Sequence, residues 1–288
     1  MAENDSASRS LNVADGRVPR FIYGTAWKED ETERLTRQAM EAGFRGIDTA
    51  NQRRHYHEAA VGAAIARAIA DGVVRREDLF LQTKFTYAAG QDHRLPYDPA
   101  ADLPTQVQQS FASSLEHLRI ETLDAYLLHG PSRRFGLGPA DLEVWRTMEA
   151  LYAAGRTGAI GISNVGLDQL EELCGRAKTP PAYVQNRCFA RTGWDSDVRT
   201  FCRAHGIVYQ GFSLLTANIA ALRHPAMAAL AARLGRTLAQ IVFRFAMQVG
   251  ILPLTGTTDP RHMREDLQAY DVGLAMDDVR LVERIAQM

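Results

Sequence analysis

Residues 44–62 read FRGIDTANQRRHYHEAAVG. The run 45–50 reads as a short buried strand, with Asp48 where the strand ends. A polar excursion follows, and it carries His55, Tyr56, His57 and Glu58 within ten residues of that aspartate. From Glu58 onward Ala59, Val61, Ala64, Ile65, Ala68 and Ile69 recur at helical spacing. Strand, polar turn and helix form the repeating unit of barrels whose catalytic groups collect at the carboxyl ends of the strands. The rest of the chain is therefore read for further copies of that unit.

They are present on both sides. Residues 21–27 predict a first strand, and 31–42 a helix that Gly43 ends, because glycine takes the left-handed conformation of a C-cap without steric cost. Further strands are expected at 79–85, 122–129, 159–164, 182–186, 207–213 and 251–255. Helices are expected at 105–118, 142–154, 167–176, 196–205, 226–234 and 237–248, and the last begins over 262–269. The stretch 86–102 is rich in Gly, Pro, Asp and Tyr and predicts a long loop of the kind that contacts ligands. Eight units of this kind define an α/β chain folded as a single-domain (β/α)8 TIM barrel over 17–288, after a loosely ordered segment over 1–16. A doubly wound open sheet is disfavoured, because no glycine-rich phosphate loop follows the first strand.

Composition narrows the function. In 288 residues, 33 Lys and Arg against 34 Asp and Glu give a net charge of −1, with no long basic block, which argues against a nucleic-acid partner. Cys174, Cys188 and Cys202 show neither CxxC nor metal-ligand spacing and read as reduced thiols. The first fifteen residues lack the apolar core of a signal peptide, and no run reaches the roughly 18 apolar residues that cross a bilayer. A cytoplasmic protein without a membrane partner is the expectation. Only three of the basic residues are lysines, Lys28, Lys84 and Lys178. A lysine at the end of a buried strand is then hard to dismiss as generic surface charge.

Four groups gather at predicted strand ends: Asp48, Tyr56, Lys84 and His129. An acid and a lysine brought together at a barrel mouth should pair, since buried charge is costly otherwise. A tyrosine beside that lysine should have its phenol lowered from about 10. It would then donate and recover a proton, while His129 orients a carbonyl or shares the transfer. Nothing in the set donates electrons, so a reduction needs hydride from a cofactor. A Schiff-base lyase using Lys84 is one alternative. Another is a regulatory or interaction protein that binds a nicotinamide cofactor with little turnover. His55, His57 and Glu58 lack the spacing of a metal site, and none is expected.

The chain resembles the aldo-keto reductases. GFRGIDTA at 43–50, EAAVG at 58–62, QTKF at 82–85, YLLHGP at 126–131, WRTMEALYAAGRTGAIGISN at 145–164 and GFSLL at 211–215 are similar to that family's landmarks and stand in its order. The resemblance implies an oxidoreductase that reduces an aldehyde or ketone with hydride from NAD(P)H, with Asp48, Lys84 and His129 catalytic and a tyrosine as proton donor. It places Ser163, Asn164 and Gln185 at the nicotinamide carboxamide, Phe212 against the nicotinamide ring, and Ser213 and Leu215 beside the phosphates. Thr257, Thr258, His262, Arg264 and Asp266 fall to the adenosine end.

Three departures matter. The segment between Asp48 and Glu58 is longer than the family pattern, which puts Arg53 or His55 at the tyrosine's usual spacing. Tyr56 is the tyrosine available there, and His55 is the alternative acid. After the eighth strand, LPLTGTTDPRHMRED at 252–266 has Leu254 where the family carries a lysine that grips the 2′-phosphate. Thr257, Thr258, Arg261, His262 and Arg264 could still hold a phosphate. NADP(H) is favoured, with NAD(H) the alternative. The C-terminal segment is short, which predicts an open pocket walled by Trp27, Phe85, Tyr87, the 86–102 loop and the 130–138 turn. The partner is a small-molecule carbonyl compound, and a monomer is expected.

Overall fold

Eight parallel strands close into a barrel: β1 (Ile22–Gly24), β2 (Gly46–Asp48), β3 (Phe80–Phe85), β4 (Ala125–Leu128), β5 (Ile160–Ser163), β6 (Tyr183–Arg187), β7 (Val208–Phe212) and β8 (Ile251–Thr255). Each pairs with the next in sequence, and β8 closes the ring on β1 through Leu254 opposite Ile22. This computed structural model describes residues 9–13 and 16–288. The α-helices longer than four residues are α1 (Thr32–Ala42), α2 (Glu58–Ala70), α3 (Leu103–Leu118), α4 (Pro139–Ala153), α5 (Leu167–Arg176), α6 (Ser196–Ala204), α7 (Pro225–Leu234), α8 (Leu238–Gln248), α9 (Pro260–Leu267) and α10 (Met276–Arg284).

Two hydrophobic layers follow from strand alternation. Outward-facing side chains such as Tyr23, Ile47, Leu81, Phe85, Tyr126 and Val184 pack beneath the helices. Ile22, Phe80, Ala125, Leu127, Tyr183 and Leu252 fill the amino-terminal end of the barrel interior. Val18 and Leu11 of a hairpin (Ser10–Val13 paired with Gly16–Pro19) join that inner cluster and plug the end away from the strand termini. Ser10–Val13 is thus paired, where a loose segment was expected. The remainder of that expectation, at 1–8 and 14–15, lies outside the described residues.

Sequence periodicity located the elements better than their ends. The first strand stops at Gly24, because the chain then turns sharply, with Trp27 and Glu29 at φ 61° and 46°. α9 is not the last helix. α10 follows it, and the buried Trp194 donates from Nε1 to Val282 O of that helix at 3.1 Å. The glycine of EAAVG marks a close approach: a Cβ on Gly62 would sit 1.9 Å from His117 O, so α2 and α3 touch backbone to backbone there. Among the described residues no single helix is long and apolar enough to cross a membrane.

Candidate active site

Above the inner apolar cluster the barrel axis turns polar. Lys84 of β3 points inward, fully buried, and its Nζ donates to Asp48 Oδ1 at 2.6 Å and to Thr49 O at 2.8 Å. The same Asp48 oxygen accepts from Gln82 Nε2 and, at 2.9 Å, from Gln185 Nε2. Gln210 Oε1 accepts from both of those amides, at 2.8 and 2.9 Å, and returns Nε2 to Gln82 Oε1 at 2.8 Å. A charged pair this deep is stable only when its remaining hydrogen-bonding capacity is met, and three glutamines meet it here. Burial draws Lys84 below its ordinary pKa, and Asp48 opposes that. Gln82 and Gln210 were missed by the sequence reading. The available signal was an amide at an inward position of a strand otherwise wholly buried.

Tyr56 stands over this pair. Lys84 Nζ lies 5.4 Å from its ring centroid, and the His129 ring meets it edge-on at 5.9 Å. The longer loop from Asp48 to Glu58 is braced on three sides: Asn51 Nδ2 donates to Ser110 O at 3.0 Å, Gln52 Nε2 to Gly90 O at 2.7 Å, and Arg94 Nη2 to Arg53 O at 3.2 Å. His55 sits elsewhere, its ring 3.9 Å from that of Trp27 and its carbonyl accepting from Trp27 N at 2.7 Å. Glu58 turns away from both histidines to Thr83 and His117, so the three do not converge.

The electrostatics reverse one expectation. Tyr56 is raised, not lowered: burial dominates, and the Asp48 carboxylate adds to it. His129 is drawn down to about 3 by burial, with Lys84 and His55 contributing, so it is neutral near pH 7. Its Nδ1 shares a 2.7 Å hydrogen bond with Thr86 Oγ1, which fixes the ring.

A cavity of about 830 Å³ opens over these groups. Trp27, His55, Tyr56 and His129 line one part of it. Ser163, Asn164 and Gln185 line it after β5 and on β6, Phe212, Ser213 and Leu215 at the end of β7, and Thr257, Thr258, His262 and Asp266 after β8. Ser163 Oγ donates to Gln185 O at 2.7 Å, and Asn164 Nδ2 to His129 O at 2.8 Å, from a backbone at φ 53°. Asp266 accepts from Thr255 Oγ1 at 2.8 Å, and burial pushes its carboxyl up to about 6.

Three expected residues are not in its walls. Phe85 is fully buried and faces outward against the rings of Tyr87 and Tyr97, because it follows inward-facing Lys84 on the same strand. Tyr87 is held by its hydroxyl on Asp141 Oδ1 at 2.8 Å. Arg264 is exposed on α9, off the cavity. The 86–102 loop braces the loop after β2 rather than walling the pocket, and the 130–138 turn also stays outside it.

Lys28 was overlooked. Nearly all of it is buried, its Nζ donates to Gly256 O at 2.7 Å, and it lines the cavity where the loops after β1 and β8 meet. Burial draws its pKa down to about 8. The lysine scarcity that marked Lys84 marked Lys28 equally.

Amides beside an aromatic ring, a cation, a helix N-terminus at Thr237 and a carboxylate fit an extended dinucleotide. Comparisons with known proteins agree in kind. Residues 21–287 match the sequence profile of the Aldo/keto reductase family. The NADPH-dependent codeinone reductase 1-4 of Papaver somniferum is 31% identical, over 94% of this chain and 87% of its own. The uncharacterized oxidoreductase YtbE of Bacillus subtilis (strain 168) is 30% identical, over 93% and 89%. Among solved structures, an aldo-keto reductase complexed with NADPH superposes with a TM-score of 0.80 at 25% identity, covering 96% of this chain and 87% of that one.

Proposed function

The chain belongs to the aldo/keto reductase family, and we propose that Tyr56 is the acid through which it reduces an aldehyde or ketone. It is an oxidoreductase that uses NADP(H) on carbonyl compounds. A nicotinamide held in this cavity would supply hydride for the carbonyl carbon. The residue roles are our reading, carried by the stack of Lys84, Tyr56 and His129 beneath a cavity that Ser163, Asn164 and Gln185 also line.

In that reading, Tyr56 holds its phenolic proton at neutral pH because burial and Asp48 disfavour the phenolate. The proton leaves when a far more basic oxygen develops on the substrate, and the Lys84 ammonium beneath the ring steadies the anion left behind. Neutral His129, pinned at Nδ1 by Thr86, presents its other ring nitrogen to the carbonyl oxygen. Asp48 and the three glutamines keep Lys84 in place. Ser163, Asn164 and Gln185 would hold the carboxamide, Phe212 would back the ring, and Lys28 would offer a cation to the phosphates; all line the cavity. Trp27 and His55 form the substrate-facing wall, which suits a carbonyl compound with a flat or apolar body.

Purified protein mixed with NADPH, and separately with NADH, and followed by nicotinamide absorbance across a panel of aromatic and aliphatic aldehydes tests this. Aldehyde-dependent oxidation of NADPH is expected. Saturable nucleotide binding without turnover of any aldehyde would instead favour the regulatory alternative.

A further inference from the structure

Alternation along β6 turns Tyr183, Gln185 and Arg187 toward the barrel axis. Tyr183 belongs to the inner apolar cluster, the Gln185 amide reaches Asp48, and Arg187 lines the cavity at its mouth. Arg187 lies in register with Phe212 of β7, and the residues that follow Phe212, from Ser213 to Thr216, line the same cavity. In the ring of strands β6 is opposite β2, so Arg187 faces the cavity from across Tyr56, on the side of Gln185 and Phe212.

The guanidinium is exposed and lies over the Phe189 ring at 5.5 Å. Among the described residues no carboxylate pairs with it. Of the acids that line the cavity, Asp48 belongs to Lys84, Asp266 accepts from Thr255, and Glu265 and Asp266 both come from α9. A diphosphate taken out of water into such a cavity needs cations, and a guanidinium provides a planar fork of donors that matches phosphate oxygens.

We propose that Arg187 grips the diphosphate of a bound nicotinamide dinucleotide, joined by Lys28, which lines the same cavity. This rests on the dinucleotide reading above. It assigns to the end of β6 a binding role for the phosphates common to NADPH and NADH, separate from the 2′-phosphate.

The test is the dissociation constant of full-length Arg187→Ala, read by quenching of tryptophan fluorescence, for NADPH, NADH and 2′-AMP, with Arg187→Lys as the conservative variant. The expected result is about tenfold or greater weakening of NADPH and NADH alike, the scale of one lost charge-assisted hydrogen bond. Binding of 2′-AMP, which lacks the diphosphate, should not change, and Arg187→Lys should recover part of the loss. Unchanged affinity for both dinucleotides overturns the proposal. So does a loss confined to NADPH and 2′-AMP, which would put Arg187 on the 2′-phosphate. Unchanged dinucleotide affinity with a raised KM only for carboxylate-bearing aldehydes would make it a reader of substrate charge, and also overturns it. If the unsubstituted protein binds neither dinucleotide, the functional reading itself falls and takes this assignment with it.

Discussion

Tyr56 and His129 are shifted in opposite directions by the same burial, and the pH behaviour of the enzyme follows from that. A phenol raised above its usual value stays protonated through the alkaline range, and an imidazole lowered to about 3 stays neutral through the acid range down to that point. Neither group changes charge between pH 5 and 9, so kcat for reduction should be nearly flat across that interval. A steep limb centred near the ordinary histidine value of about 6.5 would show that a different group controls the proton. His129 has a stability cost of definite sign. Its folded pKa lies below the unfolded value, so the unfolded chain binds the extra proton first, and stability declines as pH falls below about 6.5. Tyr56→Phe should lower kcat by about 10²- to 10⁴-fold, the usual worth of a positioned general acid, while NADPH affinity by fluorescence titration is retained. Near-normal turnover in that variant would remove Tyr56 from its role and return His55 to consideration. Asp48, Lys84 and His129 were legible because strand ends in a barrel point at one mouth. The direction of the Tyr56 shift was not, because desolvation depends on how completely neighbours enclose a ring.

At the level of elements, the helix-spacing pattern after Glu58 identified α2, but not why a glycine interrupts it. Gly62 is where α2 meets the backbone of α3, with His117 O in the space a side chain would need. Gly62→Ala should therefore cost about 1–3 kcal/mol by overpacking and lower the Tm by several degrees in calorimetry. Gly175, inside α5, has nothing within 4 Å of its missing Cβ, so Gly175→Ala should be neutral or stabilising by up to about 1 kcal/mol. Equal effects at the two sites would mean that helix propensity, not the α2–α3 contact, explains Gly62. The loop after β2 shows the limit of local reading. Its extra length pointed to a rebuilt segment, but whether Tyr56 or His55 faced Lys84 was decided by anchors from other elements: Ser110 on α3, Gly90 and Arg94 in the loop after β3, and Trp27 after β1.

For the whole molecule, the cavity spans loops from most of the barrel, so a ligand that fills it couples distant elements. Saturating NADPH should raise the Tm, by an amount that grows with the logarithm of its concentration and corresponds to about 2.7 kcal/mol at a hundredfold excess over Kd. A Tm independent of NADPH would mean that the cavity does not hold the cofactor. The sequence by itself determined the barrel, because eight strand and helix periods recur along the chain and periodicity is a local property. It also determined the family, through motifs kept in order, and the acid, lysine and histidine at three strand ends. Only the tertiary structure decided which side chains share a space. It turned Phe85 and Tyr87 away from the pocket, brought Lys28 and Gly256 together, joined Gln82, Gln185 and Gln210 around Asp48, and left Arg187 facing the cavity. The Lys28–Gly256 contact and the glutamine ring around Asp48 join residues far apart in the chain through strand register and barrel closure, and no pattern of neighbours along the sequence encodes them.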